Sequence, residues 1–307
     1  MHVVVVGAGG VGGYFGARLA ASGTDVTFIA RGKHFAAIRE HGLRVRSGLG
    51  DLHVVDARAT DDVRNVASAD VVLLCVKLWD TTDALTQIAP LVGPGTAVIS
   101  LQNGVEKEEL LPQRLGRESV LGGVCYIAAS IVEPGIIQHT GAMQKIVFGE
   151  YDGAQSQRAG RLLEACKAAG IDVELSSDIR RVVWEKFVFL VGLSALTAVT
   201  RQPIGAIRSH QKTRALLLGV MEEAAAVARA SGVALDPGFA QGRVSFCDGL
   251  PHEMSASMRN DLEHGYRLEL PWLSGDVAAR GTALGVETPV NRLLADILSL
   301  YIDGRPA

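Results

Sequence analysis

His2-Val3-Val4-Val5-Val6-Gly7-Ala8-Gly9-Gly10-Val11-Gly12 decides the fold of this chain. An unbroken β-branched run is the form of a strand buried on both faces, and it runs directly into GxGxxG. In that pattern Gly7 permits the tight turn, Gly9 lets a pyrophosphate approach the main chain, and Gly12 lets helix and strand pack closely. Ala8, Gly10 and Val11 complete the turn, and the free N–H groups of the first helical turn face the anion. The stretch therefore predicts a strand over His2 to Val6, a helix over Val11 to Ser22 closed by Gly23, and a dinucleotide site between them.

Working outward, Asp25 to Ala30 reads as the next strand, and Asp70 to Val76 and Ala97 to Leu101 as central ones. Strands alternating with helical patterns predict an α/β fold with a parallel sheet. From about Asp178 the strand-like runs stop. Lys212 to Ser231 carries helical spacing up to Gly232, and the last helix is expected to start near Pro289. Two domains follow: a Rossmann-type domain over residues 1–178 and an all-helical domain over 179–307.

The end of the second strand identifies the cofactor. An NAD enzyme carries an acidic residue about 20 positions beyond the fingerprint to meet the ribose hydroxyls. Here the chain reads Ile29-Ala30-Arg31-Gly32-Lys33, and the next acid is Glu40. Arg31 offers a fork of donors to a 2'-phosphate, so NADP is favoured over NAD. In open α/β sheets ligands sit beyond the carboxyl ends of the strands, which is where Lys77 and Asn103 fall. Asn103-Gly104 is equally a turn dipeptide. In the helical half, Lys186 heads an apolar stretch, with Leu190 and Ser194 at i+4 and i+8 on its face. A lysine there serves either as a solvated helix end or as a general acid. Ser257 opens a short segment that Gly265 interrupts, and reads as an N-cap. Glu269 starts another segment and reads as a first-turn acid.

Composition excludes several classes. Lys and Arg number 30 against 33 Asp and Glu, a net charge of −3, so no basic field exists to hold nucleic acid or an anionic membrane. The most apolar stretch, Phe187 to Val199, is shorter than the ~18 residues a membrane span needs. The four cysteines lie far apart with no CxxC pair, so neither a metal site nor a disulfide framework is expected. A reduced cytoplasm fits this pattern.

Taken together, VVVGAGGVGGYFGARLAASGTDVTFIAR, VVLLCVKLWDT, SLQNGV, WEKF, SMRNDLEHGYRLEL and GVETPVNRLL resemble the ketopantoate reductase (2-dehydropantoate 2-reductase) family over nearly the whole chain. The resemblance implies NADPH-dependent reduction of a 2-oxo acid in a site between a Rossmann and a helical domain. It implies a catalytic lysine at Lys186, with Glu269 orienting it or binding the new hydroxyl. It implies a substrate-binding Ser257, cleft residues at Asn103 and Lys77, and Arg31 beside the adenosine phosphate. It breaks where the family usually has asparagines, at Leu190 and Ser194, and after the glutamate, in Glu269-Leu270-Pro271-Trp272-Leu273-Ser274. The expected substrate is ketopantoate by family, with a more apolar 2-oxo acid as the alternative. A silent NADP-sensing module is the reading from another class, and a homodimer is one assembly the helices allow.

Overall fold

The computed structural model describes residues 1–305. In β1 (His2–Val6) the side chains alternate between two cores, Val3 and Val5 entering one and Val4 and Val6 the other. Layers on both faces of the sheet explain why the run is continuously apolar. The chain continues through α1 (Gly10–Ala21), β2 (Asp25–Ile29), α2 (Gly32–His41), β3 (Leu43–Ser47), β4 (Leu52–Val54), β5 (Arg58–Thr60), β6 (Val71–Leu74) and α3 (Thr81–Ile88). It then forms β7 (Ala97–Ser100), α4 (Lys107–Leu115), β8 (Val120–Glu133), β9 (Ile136–Gly149), α5 (Gln157–Ala168) and β10 (Asp172–Leu175). The strands lie in the order β4-β3-β9-β8-β7-β6-β1-β2-β5, with β10 on β9.

Strands β5, β2, β1, β6, β7 and β8 are mutually parallel, the doubly wound arrangement that the first strand and turn imply. The complete sheet is mixed rather than parallel. β8 turns back through Pro134-Gly135 into an antiparallel pairing with β9, and β3 and β4 are also antiparallel. This hairpin carries a second small sheet in which β9 pairs in parallel with both β3 and β10.

The contacts divide the chain into two units, one of residues 1–102 and 107–182 and the other of 103–106 and 183–307. The second unit is helical: most of α6 (Ile179–Thr200), then α7 (Ile204–Ser209), α8 (Gln211–Ala230), α9 (Phe239–Cys247), α10 (Ser257–His264), α11 (Ser274–Leu284) and α12 (Pro289–Leu298). α6 is longer than its apolar stretch suggests. At 22 residues it passes the length and composition test for a membrane span, but 67% of its most apolar window is buried inside the protein. Val183, Trp184, Phe187, Val188 and Val191 are almost inaccessible, which makes α6 a core helix of its unit.

Candidate active site

In the first unit, the glycine turn is fixed from below. The N–H groups of Gly7 and Ala8 both donate to the Ile29 carbonyl, at 3.1 and 3.2 Å, and Gly7 sits at φ +95°, which a side chain would oppose. A Cβ on Gly12 would press on the Gly7 carbonyl and lie 2.8 Å from Val5 Cγ1 and 2.9 Å from Cys75 Cβ, whereas one on Gly9 would meet nothing within 4 Å. Gly12 is therefore needed by the fold, and Gly9 leaves an open face. Gly10 lies against the Ala129 carbonyl of β8. α1 begins with no side-chain cap and no acid in its first turn, so its leading N–H groups suit an anion. Cys75 borders the turn. Burial, and secondarily the nearby Cys125, push its thiol far above its ordinary range, so no thiolate competes there.

These observations fit a dinucleotide phosphate and yield a paired prediction. Gly12→Ala lowers the unfolding temperature of the ligand-free protein, with a destabilisation of about 1–3 kcal/mol from overpacking. Gly9→Ala leaves that temperature nearly unchanged and weakens NADPH binding roughly tenfold or more, because only the ligand needs the space. Calorimetry and titration check both. Equal thermal losses would place Gly9 in the fold instead.

Arg31 is the N-cap of α2 and is exposed, with Gly32 and Lys33 exposed beside it. Lys77 is exposed at the end of the β6 segment, its Nζ 5.5 Å from the Trp79 ring centroid. Behind the end of β7 lies a buried polar network. Gln102 Nε2 donates to Val76 O (2.9 Å) and Thr81 Oγ1 (2.8 Å), and its Oε1 accepts from Ser100 Oγ (2.9 Å). Lys107, 5% exposed, donates to the carbonyls of Gly123 (2.8 Å), Ser100 (3.4 Å) and Gln102. Nothing in the sequence marks Lys107 or Gln102 for these roles, since their partners are largely main-chain groups.

In the second unit, Lys186 of α6 donates from Nζ to Asn103 Oδ1 at 2.9 Å, across 83 positions of sequence. An ammonium has no acceptor, so the amide oxygen must be the atom that faces it. Gly104, at φ +77°, makes the turn that Asn-Gly predicts, and a Cβ there would lie 3.1 Å from the Trp272 carbonyl. The turn and the polar role of Asn103 thus coexist. Leu190 is half-buried one turn beyond Lys186, whereas Ser194 is 2% exposed. Thr197, fully buried, donates to Leu193 O (2.7 Å) and accepts from Ala256 N–H (3.5 Å).

Two residue readings change. Ser257 is not the cap of α10: Ala256 holds that position, and Ser257 is the exposed first helical residue. Glu269 is not a first-turn acid of α11 either. It precedes a single 3-10 turn, Leu270–Trp272, is 8% exposed, and α11 starts only at Ser274 after Pro271 and Leu273 reset the chain.

Residues 3–153 match the family model described as ketopantoate reductase PanE/ApbA, and residues 178–301 match its C-terminal counterpart. The chain belongs to the ketopantoate reductase family. Among curated relatives of this ketopantoate reductase family member, an uncharacterized oxidoreductase, YkpB, from Bacillus subtilis is 30% identical over 98% of this chain and 99% of its own. A 2-dehydropantoate 2-reductase from Mesorhizobium japonicum is 32% identical over 99% and 98%. The crystal structure of a PanE/ApbA family ketopantoate reductase from Ralstonia eutropha, 36% identical, superposes with a TM-score of 0.89 over 98% of each chain. The protein is an oxidoreductase of 2-oxo acids, and the cofactor of its family is NADPH.

Proposed function

We propose that this protein reduces 2-dehydropantoate to pantoate in the cytoplasm, as a step of pantothenate synthesis, with Lys186 as proton donor. The observation that carries the reading is the Lys186–Asn103 hydrogen bond, which holds an ammonium at a fixed place on α6. Bound NADPH supplies the hydride to the ketone carbon. The Lys186 ammonium gives its proton to the alkoxide oxygen that forms. Ser257 binds the substrate carboxylate, and Glu269 orients the ammonium or receives the new hydroxyl. A sensor that only bound NADP would need no such donor, which argues against the non-catalytic reading.

A second reading of the substrate rests on Leu190. It stands half-buried one turn from Lys186, where the family usually presents an amide, and Thr197 on the same helix spends its hydroxyl on Leu193 and Ala256. A substrate hydroxyl left unpaired against leucine costs ~1–3 kcal/mol, enough to favour a 2-oxo acid with a plain alkyl or aryl side chain.

NADPH oxidation with a panel of 2-oxo acids tests both readings, the informative pair being ketopantoate and its analogue lacking the hydroxyl. The second reading expects a higher kcat/KM for the analogue, and expects Leu190→Asn to move the ratio about tenfold toward ketopantoate. A clear wild-type advantage for ketopantoate refutes it and supports the first. Turnover of no 2-oxo acid would refute both.

A further inference from the structure

We propose that His34 is a positioning residue for the cofactor turn: its imidazole holds the Ala8 carbonyl so that the Ala8–Gly9 peptide presents its N–H to the dinucleotide phosphates. The proposal rests on the reading of Gly7 to Gly12 as the cofactor turn. His34 lies on α2, half-buried, three residues beyond Arg31. One ring nitrogen, Nε2, is 2.8 Å from Ala8 O, and the Gly135 N–H donates to the other, Nδ1, at 3.0 Å.

The second contact fixes the tautomer. A main-chain N–H can only donate, so Nδ1 must be bare. The ring proton then sits on Nε2 and is donated to Ala8 O, so both contacts are made only by the neutral ring. A trans peptide sets its C=O and N–H on opposite sides. Anchoring the Ala8 carbonyl toward α2 therefore turns the Gly9 N–H the other way. With Ala8 N–H tied to Ile29 O, both ends of this residue are held. The need is clear from the residues themselves: glycines at 7, 9 and 10 have no side chains to restrain the main chain, and His34 supplies from outside what they lack.

The charged neighbours leave the neutral ring favoured. The glycine turn carries no charge. On α2 stand Lys33, Arg39, Glu40 and His41, the last two 3.7 Å apart, with Arg31 at its N-cap. The hairpin brings Glu133, paired with Arg46 at 3.6 Å. β3 brings Arg44, whose N–H meets Gly135 O, and β5 brings Arg58, paired with Asp25 at 2.7 Å. Burial pushes His34 below the ordinary histidine range, against a smaller upward pull from its bond to Ala8. Protonation would set two donors face to face at Gly135, so the latch loosens as pH falls.

Titration calorimetry with NADP⁺, without substrate, tests this on wild type, His34→Ala and His34→Gln. Glutamine keeps one donor and one acceptor at similar spacing but does not titrate. His34→Ala is expected to weaken NADP⁺ binding about tenfold, the scale of one lost hydrogen bond with its partner left bare. His34→Gln is expected to stay within about threefold of wild type. From pH ~7.5 to ~5.5 wild type should lose affinity faster than His34→Gln, because titration of the ligand's own phosphate is common to both. If His34→Ala proves unfolded by its thermal transition, the wild-type and His34→Gln pH series decides alone. His34→Ala binding as tightly as wild type, or the two pH series falling in parallel, overturns the proposal. A wild-type protein that binds no NADP⁺ overturns the reading of the turn itself, and the latch with it.

Discussion

Replacing Lys186 with alanine lowers kcat by about 10²–10⁴, the usual contribution of a general acid, while NADPH affinity measured without substrate stays within about twofold. Hydride transfer to a ketone leaves an alkoxide, a far stronger base than an amine, so a nearby ammonium protonates it readily. What the enzyme adds is placement. The 2.9 Å bond to Asn103 holds Nζ at one site on α6 and lowers the entropy lost when it meets the reacting oxygen. Asn103→Ala should accordingly show a smaller loss in the same parameter. The assay must be limited by chemistry, as shown by an isotope effect from deuterated NADPH. Wild-type turnover of Lys186→Ala under that condition would move the role elsewhere, to Lys77 first.

Arg31→Ala weakens NADPH binding by about 1.5–3 kcal/mol, the range for a hydrogen bond to a charged group, and leaves NADH nearly untouched. The expectation rests on charge at the end of β2. Arg31 stands exposed at the N-cap position of α2, and neither Gly32 nor Lys33 introduces a carboxylate to repel a phosphate. Two titrations, one with each cofactor, check it. Equal losses for both would separate Arg31 from the 2'-phosphate.

The first strand, the glycine turn and the helix after it were legible because their signal is local: apolar run, turn chemistry and helix start follow one another within a few residues. The start of α12 at Pro289 and the stop of α8 before Gly232 were legible for the same reason. The β8–β9 hairpin was not, because apolar residues of its outer part, Ile131 and Val132 among them, lie exposed, so their run does not alternate with a buried face. β3 is a different case, since Leu43-Arg44-Val45-Arg46-Ser47 alternates cleanly between buried and exposed. In the site, residue types could be read at Lys186 and Asn103, but their pairing across 83 positions could not. His34 and Lys107 stayed silent because they bond main-chain groups, which every sequence contains.

That last property bears on how the protein tolerates genetic drift. The three carbonyls that receive the Lys107 ammonium belong to Ser100, Gln102 and Gly123, and a carbonyl is present whichever side chain occupies the position. Those positions are not free for that reason alone: a Cβ on Gly123 would press on Ile99 Cγ2, and Ser100 and Gln102 bond each other through their side chains. Tolerance is therefore set twice over along the segment leading into Asn103, once by the single ammonium of Lys107 and once by the packing of the residues that supply its acceptors.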